Sequence, residues 1–149
     1  MVKKATSTFE EADILRMFPS FVWKTQLKEE IIERVRQDVV NTLELLREAK
    51  PGLESSQSWQ SDHDLHQSEH FGQLTSSMHE AVKKVLEYLK IADTPIMMTG
   101  LWANINAPGA IHKMHNHPNN LLSGVYYVQT SKGADTINFH DPRPQKDVI

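Results

Sequence analysis

The sequence predicts an α+β domain in which two helices cover one face of a mostly antiparallel sheet. Two segments, 26–50 and about 69–90, repeat apolar residues at helical spacing. After Pro95 the pattern changes to short runs rich in β-branched and aromatic residues, bounded by Pro, Gly and Asn. The helical and strand-like patterns are segregated along the chain, which is the signature of α+β architecture.

In order, residues 1–13 read as a polar lead-in. The run 14–23, apolar but interrupted by Pro19, suits an edge strand, since proline cannot donate to a ladder. The first helix is marked by Leu27, Ile31, Val35, Val39, Leu43 and Leu46, and Pro51-Gly52 stops it. Between Pro51 and His70 the chain is rich in Ser, Gln, Asp and His without periodicity, which predicts a loop anchored by Trp59. The second helix carries Leu74, Met78, Val82, Val85 and Leu89 on its apolar stripe and ends at Asp93-Thr-Pro95. Strands are then expected over 96–106, 121–129 and 136–140, with Ala107-Pro-Gly109 and a histidine-rich segment between the first two. No internal repeat or low-complexity tract is visible.

The 149 residues fit a single domain, 1–149, that buries one core. With 39% apolar and 23% charged residues the composition is that of a soluble globular protein. A net charge of −3, with Lys3-Lys4 and Lys83-Lys84 as the only basic pairs, offers no nucleic-acid footprint. The absence of cysteine excludes a disulfide scaffold and thiol chemistry. No apolar run approaches the roughly 20 residues of a membrane span, and no hydrophobic leader follows the start, so the expected location is the cytoplasm.

Chemistry concentrates in His112-x-x-His115-x-His117-Pro118. Side chains at i and i+2 of an extended segment point the same way, so the imidazoles of His115 and His117 can reach one metal ion. Fe(II), Mn(II) or Zn(II) would suit imidazole ligands, with protein on one side and open positions on the other. A third ligand must come from elsewhere: His112, if the segment bends, or His140 or Asp141. The competing reading is two exposed polar residues ahead of a Pro-Asn-Asn turn. A second cluster, His63, His66 and His70 beside Asp62, Asp64 and Glu69, is polar all round and reads as a solvated loop.

Several landmarks together resemble a family of 2-oxoglutarate and Fe(II)-dependent oxygenases. They are Trp102-Ala-Asn104, Pro108-Gly109, the histidine segment, Ser123-Gly-Val-Tyr-Tyr-Val128 and Asp141-Pro-Arg143. Met17-Phe-Pro19 before the first helix and Ser58-Trp-Gln-Ser61 after it look like that family's early landmarks. The resemblance implies a double-stranded β-helix, a jelly-roll barrel with helices buttressing one sheet, of which this chain would form a part. It also implies the cofactors Fe(II) and 2-oxoglutarate, a small-molecule cosubstrate, and hydroxylation of an unactivated C–H bond.

In the family, iron sits on a His-x-Asp/Glu pair and a distal histidine, and a basic residue holds the far carboxylate of 2-oxoglutarate. His115 fits the first position and His117 the one usually held by a carboxylate. That exchange removes a negative charge from the metal and should alter its affinity and redox poise. The distal histidine and the basic residue are expected in further strands beyond Ile149, and Arg143, in a turn-like Pro-Arg-Pro, is not expected to replace the latter. A partial barrel would leave strand edges that favour a homo-oligomer. Tyr127 matches a tyrosine that faces the barrel interior in prolyl-hydroxylase relatives, where it would hydrogen-bond the cosubstrate or simply pack. Ser123 and Val125 then face inward by alternation, while Trp102 and Asn104 share a face of the preceding strand as further binding candidates.

Two other readings use the same scaffold. Pro108-Gly109, five residues, then His115-x-His117 reproduces the opening of a cupin motif, but the glutamate it requires shortly after His117 is replaced by Leu121 and Leu122. The other is a non-catalytic binding or assembly module that keeps the sheet and helices without a complete site.

Overall fold

The structure is a computed structural model that describes residues 19–48, 52–133 and 136–141. Helix α1 spans Glu29–Glu48 and α2 spans Gly72–Tyr88, within the segments whose periodicity predicted them. In α1, Val35, Val39 and Leu43 recur every fourth residue and are the ones buried. Glu29 and Glu30 in its first turn and Arg47 in its last oppose the helix dipole favourably.

Helix α2 is entered through two 3-10 turns, Leu65–Gln67 and Glu69–Phe71, and has no side-chain cap at its start. Its end is closed by backbone alone. The Lys90 N–H donates to the Glu87 carbonyl at 3.1 Å and the Ile91 N–H to the Leu86 carbonyl at 3.0 Å. This is a Schellman closure, with Lys90 at φ 61° in the left-handed position usually taken by glycine.

The expected loop 51–70 contains a strand. Strand β1, Ser58–Gln60, pairs antiparallel with β2, Asn104–Asn106, with Trp59 opposite Ile105. Pairing runs on irregularly at both ends. The Ala107 N–H donates to the Gln57 carbonyl, the Ser61 N–H to the Ala103 carbonyl and the Leu101 N–H to the His63 carbonyl. Buried Ser61 also accepts the Ala103 N–H on its Oγ at 3.0 Å, so the side chain completes the ladder where the backbone leaves register. Trp59 does anchor the segment, half-buried against the core.

The core is formed by Val35, Val39, Leu43, Leu65, Phe71 and Leu74, with Leu101, Ala103, Ile105, Tyr126 and Val128 packed against it. Helices therefore cover one face of the strand-bearing segments, as an α+β chain requires.

The strand content is lower than the sequence pattern predicts. Of 96–106, only Asn104–Asn106 is a strand; 121–129 and 136–140 run without regular structure, and β1 and β2 form the one sheet among the described residues. A β-pattern fixes which side chains share a face, but a strand also needs a neighbour to take its N–H and C=O groups, and none of the described residues supplies one here. The described part of the expected edge strand, 19–23, is likewise irregular, and its aromatic rings pack on α2: Phe21 and Trp23 each lie 5.6 Å from Tyr88. Met17, Pro51 and Arg143 lie outside the described residues. No helix among the described residues is long and apolar enough to cross a membrane.

Candidate functional site

Trp102, Asn104, Ser123 and Tyr127 each lie off the side of their own segment that packs on the core. Leu101, Ala103 and Ile105 face the helical core, so Trp102 and Asn104 point to the opposite face. Tyr126 and Val128 also pack on the core, leaving Ser123, Val125 and Tyr127 exposed. Burial pushes the Tyr126 phenol above the usual tyrosine range, consistent with its seat at the core's edge.

The histidine segment starts from a fixed turn. Gly109 at φ 82° takes a conformation that a side chain resists, and a Cβ there would meet Ser56 Oγ at 2.9 Å. The turn is tied to the 52–57 loop by the Ser56 N–H and Ser55 Oγ, both donating to the Pro108 carbonyl at 2.9 and 3.2 Å. On the far side, Thr99 Oγ1 donates to Asn120 Oδ1 at 3.2 Å, bringing the end of the histidine segment beside the segment that leads into Trp102.

Between these tethers, His115 and His117 come together. Their rings meet edge to face with centroids 5.0 Å apart. Two imidazoles bound at adjacent positions of one ion, each at about 2.1 Å, would have centroids about 4.5–5.3 Å apart, so the observed spacing fits two neighbouring ligands. The hydrogen bonding fits as well. His115 Nδ1 lies 2.8 Å from the Lys113 carbonyl, which can only accept, so Nδ1 donates and the neutral ring in this tautomer presents its lone pair at Nε2.

His112, His140 and Asp141 are exposed, and the described residues contain no group of three or more His, Cys, Asp or Glu able to hold a metal. The pair thus fits two positions of a metal, and no third ligand joins it among the described residues.

The second histidine cluster is divided rather than shared. His70 is exposed; His66 is partly buried, with Nδ1 lacking a partner among the described residues. His63, which the sequence assigns to a solvated loop, stacks on Trp102 at 4.4 Å and 25°. Trp102 in turn lies 5.8 Å from His117. Spacing could not reveal this contact, because 39 positions separate His63 from Trp102 and the irregular ladder alone aligns them.

A model of the family described as "Putative 2OG-Fe(II) oxygenase" matches residues 100–149, about a third of the chain, and the match includes Trp102, His115, His117 and Tyr127. This agrees with the family resemblance carried by the motifs. No match is found among curated proteins or among solved structures.

Proposed function

We propose that this chain carries part of an Fe(II)- and 2-oxoglutarate-dependent oxygenase site, with His115 and His117 as two of the metal ligands. The observation that carries the reading is the position of this imidazole pair, at ligand spacing and with the His115 Nε2 lone pair free, inside the segment that matches the oxygenase family. Iron with 2-oxoglutarate supplies oxygen activation and hydroxylation of a C–H bond.

The protein's own contribution is binding and orientation. The Lys113 carbonyl fixes the His115 tautomer so that the ring presents Nε2, a role that such outer partners commonly fill for metal-bound histidines. Ser123, Tyr127 and Asn104 stand on the face away from the helices, where their polar atoms are open to cosubstrate or substrate. The third ligand, and the cation that pairs with the far carboxylate of 2-oxoglutarate, come from outside the described residues or from a second copy of the chain. The exposed apolar side chains of Ile111, Met114, Leu121 and Phe139 support a homo-oligomer. Sedimentation equilibrium checks that expectation.

The deciding experiment is anaerobic titration with Fe(II) and then 2-oxoglutarate, followed by metal analysis after desalting and by the visible charge-transfer absorption of the ternary complex. Replacement of His115 or His117 by Ala should weaken Fe(II) binding by at least about 100-fold and abolish the absorption, while the Tm of the metal-free protein changes little. Equal metal uptake by the parent and both variants would remove this reading.

A further inference from the structure

We propose that His63, held by Gln60 and acting through the indole of Trp102, is a positioning residue for His117. The inference rests on the reading of His117 as a metal ligand and adds to it a role for the segment between the two helices.

His117 sits in a stretch with almost no packing of its own, since every residue from 111 to 120 is exposed. A ligand on such a stretch samples several rotamers, and restricting it to one opposes binding unless the protein has already done so. The ring contacts provide that restriction. The 117 imidazole lies 5.8 Å from the Trp102 indole at 37°, and that indole also stacks on the His63 ring at 4.4 Å and 25°.

His63 is itself fixed in two ways. Its carbonyl accepts the Leu101 N–H at 3.0 Å, and with the Leu65 N–H donating to the Leu101 carbonyl at 3.1 Å this bond forms the bridge that pairs Asp64 with Leu101. Gln60 Nε2, which can only donate, lies 2.9 Å from His63 Nε2, so that nitrogen accepts and the ring proton is on Nδ1. Gly100 permits the approach: a Cβ there would stand 3.3 Å from the His63 carbonyl oxygen and 3.8 Å from the indole. A line of rings therefore runs from the hydrogen-bonded ladder, which packs on the core, to an imidazole on a segment that does not.

The test needs one measurement without metal and one with it. In metal-free protein, the His63 ring protons should resonate upfield through the indole ring current and return to ordinary positions in Trp102→Leu. With Co(II) as probe, His63→Ala and Trp102→Leu should each weaken binding by about 10-fold, the lower end of what outer partners of metal ligands contribute. His63→Phe keeps a ring on the indole and should recover most of that loss. The Tm of His63→Ala and His63→Phe should stay close to the parent's, because His63 is exposed.

Absence of the upfield shift, or parental Co(II) affinity in His63→Ala while His115→Ala and His117→Ala lose the metal, would overturn the positioning role and leave the ligand reading intact. Parental affinity in His115→Ala and His117→Ala would overturn both.

Discussion

The region from Leu27 to Ala107 and the region from Ile111 to Asp141 are built differently. The first contains both helices of the described residues, the β1–β2 ladder and the buried apolar residues among them: Val35, Val39, Leu43, Leu65, Phe71, Leu74 and Leu86. The second contains the histidine pair and the tyrosine strand sequence, yet among its described residues only Tyr126 and Val128 are shielded from solvent. The packed core and the proposed metal ligands thus lie in different parts of the chain. A strand-forming sequence next to a core becomes a strand only where another backbone meets it. Segment 101–107 meets 57–63 and pairs, while 121–128 lays two side chains on the core and pairs with nothing described.

The largest effect should separate the two regions directly. Phe71 is 2% exposed at the junction of the 3-10 turns and both helices. Phe71→Ala should lower the unfolding free energy by about 3–5 kcal/mol through lost burial and the cavity left behind. Val125→Ala, at a site 65% exposed, should change it by less than about 0.5 kcal/mol. Denaturant unfolding measures both. A loss of several kcal/mol at Val125 would break the comparison, because it would mean that the second region is packed in solution against something else, such as a second copy.

The next effect lies at the boundary between the regions. Gly109→Ala forces a side chain into a left-handed turn and against Ser56 Oγ. A loss of about 1–2 kcal/mol is expected from the backbone alone. Adding Ser56→Ala, which removes Oγ and leaves a Cβ on the left-handed Ser56 backbone, should return any part due to the contact but not the part due to φ at 109. Because this turn sets where the histidine segment starts, Fe(II) affinity should fall along with stability. Unchanged affinity would mean that the second region keeps its geometry without the turn.

The same division governs how much was legible in the sequence. Both helices could be read, because their faces are local: Val35, Val39 and Leu43 recur every fourth residue whatever lies opposite. The two-sidedness of 101–105 and 125–128 could also be read, since alternation is set by the pleat. What the residues could not convey was partnership between distant positions. Strand β1 was hidden in a segment of Ser, Gln and Asp, because its ladder is specified by residues 101–107 and not by its own composition. His63 was missed for the same reason. The closeness of the His115 and His117 rings was legible because two residues separated by one are neighbours on an extended chain in any fold, whereas any further residue joining them would be a long-range contact.

A smaller effect tests whether the first region can be strengthened without touching the second. Lys90 closes α2 in the left-handed conformation, and Lys90→Gly removes that strain while giving the unfolded chain more freedom. A net gain of about 0.5–1 kcal/mol is expected, with Fe(II) binding unchanged. A change in metal affinity would show that the end of α2 is coupled to the histidine segment.

The smallest effect concerns Tyr126, where the second region touches the first. Burial raises its pKa in the folded protein above the ordinary value of about 10, because the phenolate would lose hydration against the core. The unfolded chain therefore releases this proton first as pH rises. Stability from this group is complete below the unfolded pKa of about 10 and is lost as pH climbs through the higher folded value. Denaturant midpoints followed from pH 8 to 11 should fall at the alkaline end in the parent, and Tyr126→Phe should flatten that fall while preserving the ring's packing. Tyr127→Phe serves as the control: its ring is 46% exposed on the opposite face, so the alkaline fall should persist. If Tyr127 rather than Tyr126 governed the alkaline fall, the face of segment 121–128 that packs on the helices would be reversed. Ser123, Val125 and Tyr127 would then lie against the core instead of facing solvent.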